Sequence, residues 1–269
     1  MRRIARAFLA YLRAHVGVML HYRGEILLWS MWGIINPAVL YAMWSSAAAG
    51  SGGGTIAGLD VRGIAAYYFG IMIVGHLTAS WDVHQMGYNI RSGNLSPLLL
   101  RPLLPLWKSL SENVAYKVTT LVFVVPMWGL FAWLVHPRFE ATAWQLALGL
   151  VALALAAALN FILSYTVSLI AFWATKLDAM GEIYFGLGMF LGGRLAPLDA
   201  LPPPLLAAAK VLPFRWIFAF PTELLMGKTP GMTEALAGIA IQLIWFGSVV
   251  VVFRFFWNAA VKRYTAVSG

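Results

Sequence analysis

The sequence predicts an all-α integral membrane protein of six transmembrane helices, with both termini on the cytoplasmic side. Three observations predict it. The 269 residues are 61% hydrophobic and 11% charged, against about 45–50% apolar and about 25% charged for a soluble domain. A globule this apolar could not cover its surface with polar groups, so its solvent is lipid. The apolar residues gather into long uncharged runs, and the basic residues concentrate in alternate connections between those runs. The composition excludes a disordered chain. The absence of cysteine excludes a disulfide framework, thiolate metal sites and a cysteine nucleophile.

The whole of residues 1–269 reads as one transmembrane domain. Residues 1–24 form an amphipathic helix: Ile4, Phe8, Tyr11, Leu12, His15 and Met19 share one face, and Arg2, Arg6 and Arg13 the other. That pattern suits a helix lying in the interface with its arginines among headgroups. It does not read as a signal peptide, because it has no unbroken apolar core and no small-residue cleavage site. The first span covers residues 26–50 and contains Asn36-Pro37; the second covers 63–81 and ends at Asp82. A glycine-rich outer loop, 48–58, is expected to be flexible. The third span is 118–135, and the fourth, 143–173, holds no charge at all. The fifth run, 183–193, has about 11 residues and cannot cross ~30 Å of hydrocarbon at ~1.5 Å per residue. It must extend through Arg194 or turn back. The sixth span, 235–253, closes at Arg254.

Charge placement fits this layout. Of the 19 basic residues, only Arg62, Arg138, Arg194, Lys210, Arg215 and Lys228 fall on the outer side; the rest, Lys176 among them, fall inside. The pI near 10 is therefore an orientation signal and an attraction to anionic headgroups, with no nucleic-acid partner implied.

The inner connection, 86–117, is the most informative stretch. Ser92-Gly93 makes a turn, Ser96 can cap a short helix with Pro97 in its first turn, and Pro102 limits that helix. The product is an apolar knob of Leu95, Leu98, Leu99 and Leu100 between Arg91 and Arg101. It suits a helix lying in the headgroups or a docking element for a cytosolic partner; a rigid knob loses little entropy on binding a groove. The short inner turn 174–182 carries Lys176, Asp178 and Glu182, and the outer segment 194–231 is dense in proline, the last of them Pro230.

Candidates for a substrate path or gate are His76, Trp81, Asn160, Arg194, Arg215 and Glu223. An ionisable residue at mid-bilayer such as His76 is a functional candidate, although a neutral histidine bonded to a neighbouring helix is the simpler reading. Asn36 and Asn160 read as interhelical hydrogen-bonders. Arg215 and Glu223 fit either an ion pair or a lid. Gly188-x-x-x-Gly192 reads as a small-residue surface for close packing. Gly227-Lys228-Thr229 imitates the end of a phosphate-binding loop, but that loop needs a glycine where Thr222 stands. No metal-ligand or catalytic constellation is visible.

Three stretches carry a resemblance. They are Leu77-Thr78-x-x-Trp81 through Ile90-Arg91-Ser92-Gly93-x-Leu95-Ser96 to Leu100-Arg101-Pro102; Gly193-Arg194-Leu195-Ala196-Pro197-Leu198; and Leu212-Pro213-Phe214-Arg215-Trp216 with Phe220-Pro221-x-Glu223-Leu224-Leu225. Through them the chain resembles the membrane subunits of bacterial ATP-binding-cassette exporters of the type-2 permease class, in the branch of about 260 residues. The resemblance implies a coupling helix drawn from Arg91, Ser92, Gly93, Leu95, Ser96, Leu99, Leu100, Arg101 and Pro102, and re-entrant outer helices at about 195–225. It implies two cytosolic ATPase subunits and a second permease subunit, identical or a diverged paralogue. ATP and Mg would be held by the ATPase partner, with no cofactor on this chain. The expected activity is export of an amphipathic or lipid-like substrate across the plasma membrane. The rivals are an ion- or proton-coupled transporter using His76 and Asp82, and a membrane enzyme acting on lipid, which the lack of an acid-base or metal constellation disfavours.

Overall fold

The computed structural model describes residues 2–174, 178–229 and 231–264, so Lys176 and Pro230 lie outside the described residues. The chain runs through α1 (Arg2–His21), α2 (Arg23–Gly50), α3 (Val61–Thr78), α4 (Asp82–Arg91), α5 (Ser96–Leu99) and α6 (Leu106–Val135). It continues through α7 (Ala143–Ser168), α8 (Asp178–Phe190), α9 (Pro203–Val211), α10 (Pro213–Ile217), α11 (Ala219–Leu225) and α12 (Met232–Arg263). A 3-10 turn, Leu169–Phe172, extends α7. No strand occurs among the described residues; Ile56 and Leu59 form an isolated bridge that folds the glycine-rich loop into a tight turn.

Five stretches are long and apolar enough to cross a membrane: α2, α3 with α4, α6, α7 with its 3-10 extension, and α12. A sixth candidate is α9 with α10 and α11, bent by 68° at Leu212. The second stretch lies at the centre of the bundle. Val74, Leu159, Tyr165, Ile217, Phe218 and Phe253 bring α3, α7, α10 and α12 into one core. Exposed apolar side chains such as Val122, Ile244 and Phe255 face outward from α6 and α12.

Several boundaries differ from the sequence reading. The helix that carries the third span starts at Leu106, ahead of the uncharged run at 118–135, and Lys108 and Glu112 pair at 3.2 Å along its surface. With α4 also helical to Arg91, the inner connection shrinks to 92–105. The fifth run is α8, whose 13 residues cover about 20 Å at ~1.5 Å per residue. Its described residues are too few to cross. After it the chain turns and continues through α9, α10 and α11.

The two ends of the bundle are distinct. At one, Arg138 donates its backbone N–H to the Arg62 carbonyl and ion-pairs Asp60 and Glu140, while the Glu140 N–H reaches the Met226 carbonyl. Gly227 turns there with φ +80°; a Cβ at that position would stand 2.5 Å from the Glu140–Ala141 backbone, which explains the glycine without any phosphate. At the other end lies α5, beside both ends of the described chain: Arg101 donates to the Tyr11 hydroxyl, and Ser96 bonds Tyr264.

Candidate functional site

The elbow around α5 is built from a tight turn. Gly93 takes φ +71°, and the Leu95 N–H reaches back to the Asn89 carbonyl. Ser92 bonds the Tyr88 carbonyl at 2.8 Å and so closes α4. Ser96 does not cap: it is the first residue of α5, and its hydroxyl bonds the Tyr264 hydroxyl at 2.6 Å. The apolar knob is divided. Leu95 is buried in the main core and Leu99 packs against it, so neither projects as a free knob; Leu100 at the tip is 88% exposed. Arg91, Arg101 and Pro102 are exposed beside it. The Arg101 guanidinium sits 2.7 Å from the Tyr11 hydroxyl, which ties the elbow to α1.

The amphipathic face of α1 packs lengthwise along the first half of α6. His15 bonds Ser111 at 3.0 Å, and Thr119 bonds the Met19 sulfur at 3.4 Å. Arg6 and Arg13 stay exposed, as the helical wheel requires. Burial in this seam lowers the His15 pKa below the usual histidine value, and Glu112 opposes the shift.

A second feature lies deeper. The helix breaks at residues 79–81, between α3 and α4. A break inside a span leaves carbonyls without helical partners, each costing several kcal/mol in lipid. Here they are answered: Asn160 donates to the Thr78 carbonyl and Asn113 to the Ala79 carbonyl, both at 2.8 Å. Tyr184 donates to Asn160 Oδ1 at 2.6 Å, and Lys117 to Asn113 Oδ1 at 2.7 Å. Asp82 starts α4 with its carboxylate accepting from Ser80 at 2.8 Å, a position the helix dipole favours. His76, just before the break, shares a 3.0 Å hydrogen bond with Thr120 and packs edge-on to Trp128.

The break forms the floor of a cleft of about 120 Å³ between α2, α3, α6 and α8. His76, Trp81, Asn160 and Arg194 all line it, so four of the six gate candidates converge. Arg215 and Glu223 do not; they pair with each other at 2.9 Å between α10 and α11. A neighbouring cleft of about 570 Å³ shares Trp29, Trp81, His84 and Tyr116 with the first and opens toward Glu25 and Glu112.

Arg194 sits on the turn that follows α8, and that turn is clamped. Tyr67 donates to the Gly193 carbonyl at 2.6 Å; Tyr68 and Trp44 both donate to the Leu195 carbonyl, at 2.8 and 2.9 Å. Gly193 adopts φ +77°, and a Cβ there would meet the Tyr67 hydroxyl. Gly188 and Gly192 let Phe218 press against α8, as the small-residue pattern suggested. The sequence reading missed the partners of the break, Asn113, Lys117 and Tyr184, together with the clamp of Trp44, Tyr67 and Tyr68. The one local signal for the break was Ser80 and Asp82, two helix-starting residues placed inside an apolar run.

Comparison with known proteins gives one result. The family model described as ABC-2 family transporter protein matches residues 34–268. A search of curated proteins finds no significant match.

Proposed function

The chain belongs to the ABC-2 family of transporter proteins, and on that premise we propose that it is the membrane-spanning half of an ATP-driven exporter. Its family makes it a permease component that associates with an ABC ATPase partner. The direction of transport, the cargo and the docking site are the proposal's own. The end bearing α5 faces the cytosol of a bacterial cell and takes the ATPase subunits, which hold ATP and Mg²⁺. A second permease subunit, identical or diverged, completes the path outward across the plasma membrane.

The observation that carries this reading is the wiring of the elbow. An exposed Leu100 projects from a segment tied to α1 through Arg101–Tyr11 and to the end of α12 through Ser96–Tyr264. Behind it, α4 runs from the elbow to the break at residues 79–81. A push on α5 is therefore delivered to three elements at once. The break gives α4 a place to pivot, and it pivots against the wall of the cleft that holds Trp81 and His76. Rigid elements joined at a hinge convert such a push into a change of access. Arg215–Glu223 braces the segment formed by α10 and α11 at the far side.

The test is co-purification with the ATPase subunit. Leu100→Asp is expected to abolish it while the chain still inserts and folds, since that side chain has almost no intramolecular packing to lose. Leu99→Asp should also abolish it, but with loss of stability, because Leu99 packs on the core. Undiminished co-purification of Leu100→Asp would refute the docking site.

A further inference from the structure

We propose that the cleft beside the broken helix recognises an amphipathic anion, with Arg194 gripping a carboxylate- or phosphate-like head and the tryptophan wall taking the apolar body. This rests on the reading of the cleft as a transport path. It narrows the cargo from amphiphiles in general to those carrying negative charge.

Four observations converge. Among the described side chains lining the cleft, Arg194 is the one that carries a formal charge, and none is a carboxylate. Among the described side chains, none offers it an ion pair. Its partners are the faces of two aromatic rings, Phe185 at 5.1 Å and Phe218 at 5.0 Å from the guanidinium carbon to the ring centroids. Contacts with ring faces leave the edge of the guanidinium plane, with its five fork-arranged donors, available for a planar or tetrahedral anion.

The third observation is the clamp. Hydrogen bonds from Tyr67, Tyr68 and Trp44 to the carbonyls on either side fix the backbone that carries Arg194. A ligand would meet a preorganised group instead of ordering a loose one. A charge held in an apolar setting is costly and calls for a counter-charge. The fourth observation is the wall opposite. Trp29 and Trp32 are each 62% exposed and Trp81 48% exposed, where they line the cleft. Three of the cleft's other polar groups are already engaged: Tyr184 with Asn160, Asn160 with the Thr78 carbonyl and His76 with Thr120. One unmatched positive charge beside a broad apolar wall fits a ligand with one negative head and an apolar body.

The experiment uses the full chain in a non-ionic detergent and reads tryptophan fluorescence. The probes are a brominated long-chain alkyl phosphate, the matched brominated alkyl trimethylammonium and inorganic phosphate. We expect saturable quenching by the alkyl phosphate and none by the ammonium compound. Inorganic phosphate at equal concentration should not relieve it. Arg194→Gln should weaken the alkyl phosphate by about tenfold or more, as expected for loss of a charge-assisted bond. Arg194→Lys should keep part of the affinity and serves as the control for folding. Equal quenching in the wild type and Arg194→Gln overturns the proposal, as does stronger binding of the ammonium compound. Displacement by inorganic phosphate overturns the amphiphile assignment. Because binding is read on the isolated chain, the outcome is separate from that of ATPase docking at Leu100.

Discussion

The chain interrupts its helices twice near the middle of the bundle, and the two interruptions are solved alike but loaded differently. At residues 79–81, side chains from α6 and α7 answer the freed carbonyls; at Gly193–Leu195, side chains from α2 and α3 do. The first interruption then engages its own ionisable residues in hydrogen bonds, His76 with Thr120, Asp82 with Ser80 and Lys117 with Asn113. Among the described side chains, the second gives Arg194 the faces of Phe185 and Phe218 and no ion pair. Satisfied polar groups at a break indicate a built hinge, and a charge left without a counter-charge in the same cleft indicates a place for a ligand. Intramembrane ionisable residues are thus not one class, and His76 and Arg194 should respond oppositely to substitution.

The largest expected effect is at the second interruption. Gly193→Ala would place a Cβ 2.6 Å from the Tyr67 hydroxyl at a left-handed φ. It should destabilise the chain by roughly 3–5 kcal/mol through strain and overpacking, read as a lowered thermal midpoint in detergent. A wild-type midpoint would show that the clamp is slack. Next is Asn160→Leu, which orphans the Thr78 carbonyl and the Tyr184 hydroxyl. A loss of roughly 2–4 kcal/mol is expected from two buried unsatisfied groups; a neutral result would mean that the break at residues 79–81 is not held from α7.

His76→Gln should cost about 1 kcal/mol or less, since a glutamine can still serve Thr120. ATP-driven transport should persist near the wild-type rate. Abolished transport in a normally stable His76→Gln chain would turn the comparison around and favour ion coupling. The smallest effect is at His15. Its pKa is lowered in the folded seam, so the detached state binds the proton more readily. The seam between α1 and α6 is then fully held above the ordinary histidine pKa of about 6.5 and weakens as pH falls below it. Protease protection of α1 should decline in that window, by a solvent-screened margin, and His15→Asn should remove the dependence. Protection that improved in acid would contradict the sign.

The sequence made some of this plain and hid the rest for physical reasons. Uncharged runs mark α2, α3, α7 and α12, because lipid tolerates little else there. The α1 wheel was legible because a seam helix must sort its two faces. The start of α6 was not, because Lys108 and Glu112 look like loop residues in a hydropathy reading, yet helix formation does not oppose them. Both interruptions were obscure for another reason. Their cause is a set of donors from distant helices, Asn113, Asn160, Tyr67 and Tyr68, and nothing local in the sequence declares which carbonyl such a side chain will meet. Leu95 was misplaced on the knob for the same reason: a four-residue helix shows no periodicity from which to tell its inner face from its outer one.

The central assertion is that an external ATPase grips the α5 elbow and supplies the power. Site-directed photocrosslinking in intact cells tests it, with a photoreactive amino acid placed at Leu100 and, for comparison, at Val122, an equally apolar position 72% exposed on the outer face of α6. The account predicts that Leu100 crosslinks to an ABC ATPase subunit identified by mass spectrometry, and that Val122 yields lipid adducts without that subunit. Lipid adducts alone at both positions would contradict it.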